Sequence, residues 1–226
     1  MAFAASRLAA VHYGRVFEDR CMELLRSRLS MTLAYVGGRG DGGVDFQGWW
    51  WVPRLPPDTS DERRRIRILA QCKALDKKLG PIHIRELEGA ALLHSNTGSA
   101  KLLKPDETSA PQPGTSPELT AVLCSISGFS TFAIRRAMAS PVPFLLLHLP
   151  SPSPGDDQTP YLESMVWNSK LGSSHGLLGG HMEIRQLIAG NSSHPALYWQ
   201  GKRLEHWTPE LEPEIHVGRY NPPPTS

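Results

Sequence analysis

The sequence predicts an α/β protein in which helices flank a mixed β-sheet, followed by a small β-rich C-terminal extension. Helical and strand-like patterns alternate along residues 9–149, and apolar runs at residues 120–127 and 142–149 are typical of strands buried on both faces. The chain has 226 residues, of which 40% are apolar and 20% charged, so it can form one domain with a sizeable core. We therefore predict a domain over residues 9–150 and an extension over residues 151–220.

The first half of the chain predicts one helix and three strands. Apolar residues at helical spacing indicate a helix over residues 9–29. Strands follow at residues 30–36 and 44–52, separated by a glycine-rich turn. The segment 65–73 alternates charged and apolar residues and then becomes wholly apolar, as expected for a strand that enters the interior of a sheet. We expect the second and third strands to form an antiparallel pair.

The second half predicts a strand–helix–strand unit after another helix, and then the extension. Pro81 stands in the first turn of the predicted helix over residues 81–95, where proline is tolerated because its missing N–H would be unsatisfied in any case. Proline-rich insertions at residues 53–64 and 104–118 are interpreted as surface loops. The remaining elements are a helix at residues 128–140 and strands at residues 161–168 and 196–206, the last with a turn at Gln200 and Gly201.

Three polar residues stand at the ends of the two strands that we expect to pair. Asp45 begins the second strand, and Gln71 and Lys73 end the third, so their side chains would converge. A carboxylate and an amide oxygen are ligands that Mg²⁺ prefers, and the backbone carbonyl of Cys72 could add a third oxygen. The Lys73 ammonium could assist an attacking water. Because one carboxylate binds the ion weakly, we expect a second acid, and Glu18 on the first helix is the candidate. The pattern predicts a nuclease-like site for Mg²⁺ or Mn²⁺.

Five short motifs follow one another with compatible spacing between residues 14 and 149. They are Phe17-Glu18, Gly38-x-Gly40-Asp41-Gly42-Gly43-Val44-Asp45, Gln71-x-Lys73, Ile84-Arg85-Glu86-Leu87-x-Gly89 and Ser127-Gly128-Phe129-Ser130. Together they resemble the Mrr-type restriction endonuclease-like domain of the PD-(D/E)xK nuclease superfamily. The resemblance implies a restriction endonuclease-like fold, a metal-dependent nuclease acting on DNA or RNA, and active-site positions at Glu18, Asp45, Gln71 and Lys73. Such domains often act as dimers, so the resemblance also leaves room for a homodimer.

An Mrr-like domain followed by a short β-rich tail is similar to the fungal "required for respiratory growth" mitochondrial family. In the tail the likeness rests on few residues, such as Trp167 and Asn168. The resemblance implies a mitochondrial protein of the matrix. The first 17 residues contain Ser6, Arg7 and Arg15 but no acid, which is compatible with a transit peptide. A helix that begins near residue 9 would leave little to cleave, so both interpretations stay open.

Two positions depart from the superfamily pattern. Val44 stands where a proline precedes the acid, and Gln71 stands where a second acid is usual, although glutamine there is typical of the Mrr branch. The neutral Gln71 and a net charge of only +2 keep a second function open. In that interpretation the chain is a catalytically inactive nuclease fold that binds nucleic acid or acts as a scaffold in mitochondrial genome maintenance or expression.

Other residues have both a structural and a functional interpretation. Asp41 is a turn residue or a second metal ligand. The tryptophans at residues 49–51 pack at a sheet edge or stack on nucleobases. Runs of arginine and lysine around residues 63–78 form a solvated face or contact phosphates. The glycines at residues 38–43 fit a dinucleotide-binding pattern, but that pattern requires a helix directly afterwards, and a strand is predicted there.

The cysteines and histidines indicate no metal-binding framework. Three cysteines, at residues 21, 72 and 124, stand far apart in apolar segments, and no Cys-x-x-Cys occurs, so neither a zinc ribbon nor a disulfide framework is indicated. The histidines at residues 175, 181 and 194 are irregularly spaced and are interpreted as loop residues. No apolar run reaches the length that spans a membrane.

Overall fold

The computed structural model describes residues 2–36, 43–58, 60–96, 118–152, 161–189 and 192–209. The helices in these ranges are α1 (Ala2–Leu29), α2 (Pro81–Asn96), α3 (Thr131–Met138) and α4 (Ser169–Gly172). The strands are β1 (Met31–Tyr35), β2 (Phe46–Pro53), β3 (Arg63–Lys73), β4 (Leu119–Ser125), β5 (Phe144–His148), β6 (Ser164–Trp167), β7 (Met182–Ala189), β8 (Ser192–Trp199) and β9 (Lys202–Arg203). The predicted order of helices and strands up to the end of β5 is confirmed.

Six strands form the main sheet, in the order β1-β2-β3-β4-β5-β6. The pairs β1·β2 and β2·β3 are antiparallel, β3·β4 and β4·β5 are parallel, and β6 returns antiparallel to β5. The predicted mixed sheet and the predicted antiparallel pairing of the second and third strands are therefore confirmed. β3 lies where the sheet changes from antiparallel to parallel, with one neighbour of each kind.

The two faces of the main sheet are covered by different elements. Ile68 and Ala70 of β3 belong to a core that contains Phe17 and Leu24 of α1. Leu69, between them, belongs to the other core, which contains residues of α2 and α3 such as Leu87 and Ala133. This alternation is the period-two geometry of a strand buried on both faces. The face that a β3 side chain occupies therefore follows from its position along the strand.

The region after β5 contributes both to the main sheet and to a small second sheet. β6 completes the main sheet, whereas β7, β8 and β9 form a small second sheet, which confirms the predicted β-rich part at the C-terminal end. Leu178, Met182 and Leu197 of this region join the core on the α1 face. The expected turn in the last predicted strand lies at residues 200 and 201, both with positive φ. β7 had no counterpart in the prediction, and the domain boundary at residue 150 stays a prediction.

Several element boundaries differ from the predicted ones. α1 begins at Ala2 and not near residue 9. α3 begins later than predicted because Ser130 caps it: the Ser130 side chain accepts a hydrogen bond from the Ala133 N–H. His194 lies in β8, which differs from the expected loop position, whereas His175, in the turns after α4, and His181, just before β7, lie in loops as expected.

Some of the predicted features fall outside the described residues. They include Asp41 with its neighbouring glycines, and the insertion at residues 104–118 except Glu118. Within the described ranges, no helix combines the length and the apolar character that crossing a bilayer requires.

Asn168 links the end of β6 to the rest of the main domain. It is 1% exposed, and its Oδ1 accepts hydrogen bonds from the backbone N–H groups of Phe144 at 3.1 Å and Leu171 at 3.2 Å. Its Nδ2 donates to the carbonyl oxygens of Val142 at 2.8 Å and Ala137 at 3.0 Å. One side-chain amide thus caps the N-terminus of α4, binds the first N–H of β5 and binds a carbonyl in the last turn of α3.

We expect Asn168→Ala to lower the free energy of unfolding by about 3 kcal/mol or more, because each buried polar group left without a partner costs about 1–3 kcal/mol. Urea unfolding followed by circular dichroism measures this difference. The control is Ser169→Ala at the exposed neighbouring position, which we expect to change stability by less than about 0.5 kcal/mol. Equal effects of the two substitutions would show that the Asn168 hydrogen bonds are not structural.

Candidate functional site

The backbone is irregular at Asp45, where the chain enters β2. The Asp45 N–H donates to the Ala70 carbonyl at 2.9 Å, although Phe46 is the residue that opposes Ala70 in the ladder. Two residues thus face one, as in a β-bulge. Val44 lies in the core on the α2 and α3 face, and Phe46, two positions on, lies in the core on the α1 face. The bulge lets Asp45 project its side chain along the strand end.

The Asp45 carboxylate lies against the end of β3. Its Oδ2 accepts a hydrogen bond of 2.7 Å from the backbone N–H of Cys72. That N–H belongs to the peptide that joins Gln71 to Cys72, so the carboxylate is fixed at the backbone next to Gln71. The convergence expected from the sequence is therefore present for Asp45 and the Gln71–Cys72 peptide.

Gln71 is held in the interior by a glycine carbonyl. The residue is 2% exposed, and its Nε2 donates to the carbonyl oxygen of Gly43. Gly43 has a φ of +80°, and a Cβ placed on it would come within 2.6 Å of the Gln71 Nε2, so only glycine fits here. The Gln71 Oε1 is buried and has no hydrogen-bond partner. A buried acceptor without a donor is costly, and a cation is one partner that would remove the cost.

Lys73 ends β3 on the same face as Gln71. Leu69 packs on the α2 and α3 face, and strand alternation sets residues 71 and 73 on that face as well. Lys73 is half-buried, opposes Ser125 of β4 in the parallel ladder, and accepts a hydrogen bond on its carbonyl from the Ile126 N–H at 3.2 Å. The backbone under the ammonium is thus fixed by its pairing with β4.

Glu18 approaches from the other side of the sheet, on α1. Its Oε2 accepts a hydrogen bond of 3.2 Å from Arg15. The Arg15 guanidinium also lies 4.0 Å from the ring centre of Tyr35, and the Tyr35 hydroxyl donates to Asp19 at 2.5 Å. The described interactions of Glu18 are with this cluster of Arg15, Asp19 and Tyr35, at the edge of the sheet next to the start of β2. Its role as a metal ligand stays a prediction.

The donor atoms at the start of β2 suit a hard cation. Asp45 supplies carboxylate oxygen, Gln71 supplies the unpartnered amide oxygen, and the carbonyl of Cys72 is the predicted third oxygen. Mg²⁺ and Mn²⁺ take oxygen ligands of these kinds and keep several waters. The residues present therefore fit the predicted ion, and the neighbouring Lys73 adds a cation that could contact phosphate.

The structure brings together three cysteines that the sequence separates. The Sγ atoms of Cys21, Cys72 and Cys124 all lie within 4.8 Å of one another. Burial raises the pKa of the Cys21 and Cys72 thiols well above its ordinary value, while hydrogen bonds from these two thiols lower the pKa of Cys124. Strand and helix periodicity is the signal that could have located this cluster. Cys21 lies on the buried stripe of α1, and Cys72 lies two positions after Ala70, on the same face of β3.

The tryptophans and arginines of β2 and β3 are engaged in packing. Trp50 is fully buried, and the Trp51 Nε1 donates to the Thr32 hydroxyl at 3.0 Å. The Arg65 guanidinium lies 4.6 Å from the ring centre of Trp49, and Arg64 pairs with Glu118 at 2.5 Å. These contacts favour the packing interpretation over base stacking by the tryptophans.

We expect Glu18→Gln to raise the free energy of unfolding at pH 7. Burial raises the pKa of the Glu18 carboxyl above 4.5, and this effect outweighs the pairing with Arg15, so the ionised form is disfavoured in the folded state. The wild type thus loses stability as pH rises through that pKa, and the variant does not. The gain should stay below about 1 kcal/mol because the side chain is partly hydrated.

Urea unfolding at pH 7 and at about pH 3.5, below the unfolded pKa of glutamate, measures this dependence. The two proteins should have the same stability at the lower pH, where Glu18 is protonated. Glu23→Gln, at an exposed position of the same helix, serves as the control. A Glu18→Gln variant that is less stable than the wild type at pH 7 would show that the ion pair with Arg15 dominates.

Comparison with known proteins agrees with the resemblance to the respiratory-growth family. Residues 9–104 match the family model described as Required for respiratory growth protein 7. An uncharacterised mitochondrial protein of Schizosaccharomyces pombe is 31% identical over 80 residues, which cover 35% of this chain and only 30% of the length of that relative. No solved structure matches the chain. The two matches confirm the likeness to that family for part of the chain and support a mitochondrial location.

Proposed function

We propose that this chain is a Mg²⁺-dependent, endonuclease-like phosphodiesterase that acts on DNA or RNA in the mitochondrial matrix and thereby supports respiratory growth. The observation that carries the proposal is the buried, unpartnered Oε1 of Gln71, together with the Asp45 carboxylate that binds the backbone N–H of the next residue, Cys72. These two oxygens would form part of a cation site where β2 begins and β3 ends. The family match and the mitochondrial relative support the location and the link to respiration.

Each residue of the site has a distinct part in phosphodiester hydrolysis. Asp45 and the Gln71 Oε1 bind the ion, with the Cys72 carbonyl as a further ligand. The ion, when bound, neutralises charge on the phosphate and lowers the pKa of a water. Lys73 holds an ammonium where negative charge develops on the phosphate oxygens. The hydrogen bond from Cys72 fixes the Asp45 carboxylate before substrate arrives, which reduces reorganisation during the reaction.

The charge of the site predicts that metal and substrate bind together. Among the described residues at the start of β2, Asp45 supplies one carboxylate, and Gln71 adds an oxygen without charge. Mg²⁺ commonly binds through one or two carboxylates and completes its ligand set with substrate phosphates. An acid at position 71 would add a negative charge, and the neutral Gln71 does not. We expect the substrate phosphodiester to supply part of that missing charge.

One observation favours a second function. The described contacts of Glu18 are with the Arg15 cluster, so the second acid expected from the resemblance is held by a guanidinium. A site whose described residues provide one carboxylate, and that does not turn over, corresponds to a nuclease fold that binds nucleic acid or acts as a scaffold in mitochondrial genome maintenance or expression. The following experiment separates the two functions.

We expect the purified chain to cut a mixture of duplex DNA, single-stranded DNA and RNA in the presence of Mg²⁺ or Mn²⁺. Asp45→Asn and Lys73→Met should each lower the cleavage rate by at least about a hundredfold, because each removes a charge that acts on the transition state. Asn at residue 45 keeps an oxygen that can accept the Cys72 N–H, so folding is preserved. Gel electrophoresis of end-labelled substrates measures the rate.

Matched controls are Asp76→Asn and Lys78→Met, at exposed positions in the loop that follows β3. These variants should cut at the wild-type rate. If cutting is absent from the wild type while nucleic acid still binds, the scaffold function stands instead. If cutting persists in both site variants, the activity belongs to a contaminant or another site. Breakage of both strands of a duplex would indicate the homodimer that the resemblance implies.

Gln71→Glu tests the metal site without turnover. In the absence of divalent ions, a carboxylate in place of the amide loses the donor to Gly43 and should lower the free energy of unfolding by about 1–3 kcal/mol. Mg²⁺ should restore a large part of this loss, because the added charge strengthens binding of the ion to the folded state. Thermal unfolding with Mg²⁺ and with chelator measures both effects. A deficit that Mg²⁺ leaves unchanged would show that residue 71 does not face a cation.

A further inference from the structure

Three different elements contribute one thiol each to a cluster under the main sheet. Cys21 comes from α1, Cys72 from β3 and Cys124 from β4, and all three are free cysteines. Cys72 and Cys124 are partners in the parallel ladder, which sets their side chains side by side. α1 packs across these strands on the same face, and Cys21 completes the triangle. Its three Sγ atoms lie within 4.8 Å of one another.

The spacing of the sulfur atoms matches a metal site. Thiolate sulfur binds Zn²⁺ at about 2.3 Å, so three sulfurs around an ion of similar size lie about 4 Å apart. That separation falls within the limit observed for the cluster. The three Cα positions are set by a helix and two hydrogen-bonded strands, so the fold itself holds the sulfurs together.

The surroundings favour a soft ion with three ligands. Cys21 and Cys124 are fully buried in the core on the α1 face, and Cys72 packs against that core. Among the described residues, no histidine, aspartate or glutamate atom joins the three sulfurs in the group. Zn²⁺ in closed protein sites takes four ligands, whereas thiolates select Cu(I), which accepts fewer. A three-sulfur site in apolar surroundings therefore fits monovalent copper better than zinc.

We propose that Cys21, Cys72 and Cys124 form a three-sulfur site for a thiophilic metal ion, with monovalent copper as the ion that fits it. The site is distinct from the predicted Mg²⁺ centre, because Cys72 presents its sulfur to the α1 face while Gln71 and Lys73 occupy the opposite face. The proposal does not rest on nuclease activity. The opposing interpretation is that three thiols act as small apolar residues of the core.

The test uses the full chain, reduced and kept free of oxygen. Cu(I) is supplied as a complex with a coloured chelator, and its transfer to the protein is followed by absorbance. We expect one equivalent of copper per chain, and X-ray absorption at the copper edge should report sulfur neighbours only, three in number. Cys21→Ser, Cys72→Ser and Cys124→Ser should each abolish stoichiometric transfer.

The control is Met22→Leu, which removes the soft sulfur of the buried neighbour of Cys21 and should leave transfer unchanged. Circular dichroism verifies that each variant is folded, and Cys→Ala variants replace any serine variant that is not. X-ray absorption on the wild type decides the outcome if no variant folds. Failure to take copper from the chelator, transfer that survives the cysteine substitutions, or retention of Zn²⁺ in preference to Cu(I) would each overturn the proposal.

Discussion

The antiparallel pairing of β2 with β3 is the constraint on which the rest of the structure depends. β3 is the longest strand of the described sheet, and it joins an antiparallel half to a parallel half. Both cores pack on it, so its register decides which side chains are buried on each face. The bulge at Asp45 and the hydrogen bond from the Cys72 N–H fix that register at the end of the pair. A slip of one residue would exchange the two faces.

Much of the fold could be predicted because strong local patterns agree with the final packing. The apolar runs that became β4 and β5, and the change from alternating to apolar residues in β3, identified buried strands by composition alone. The pairing of β2 with β3 followed from the site motif. β7 was not predicted. Its exposed residues include the apolar Ile188, which is 81% exposed, so the strand does not show a regular alternation of apolar and polar residues. The early start of α1 was not predicted either, because residues 2–8 have no clear apolar stripe.

The candidate site was predictable in its parts and not in its contacts. Residue types at positions 45, 71 and 73 indicated the chemistry, but the bulge that turns the Asp45 side chain toward the Cys72 peptide depends on tertiary packing. The unpartnered Oε1 of Gln71 could not be foreseen, because it results from the other half of the same amide binding Gly43. The sulfur cluster depends on register between elements about 50 residues apart, which spacing rules for continuous metal motifs do not detect.

The alternation of side chains at the end of β3 separates two kinds of polar group that could bind metal ions. Oxygen and ammonium groups lie on one face, and sulfur lies on the other, with a single backbone between them. Ligand softness would therefore sort hard from soft cations across a distance of one residue. Substitutions can also alter one face without altering the other, since the side chains of consecutive residues pack in different cores. Descendants of this chain could thus lose the oxygen ligands and retain the sulfur cluster, or the reverse, while the sheet that supports both is unchanged.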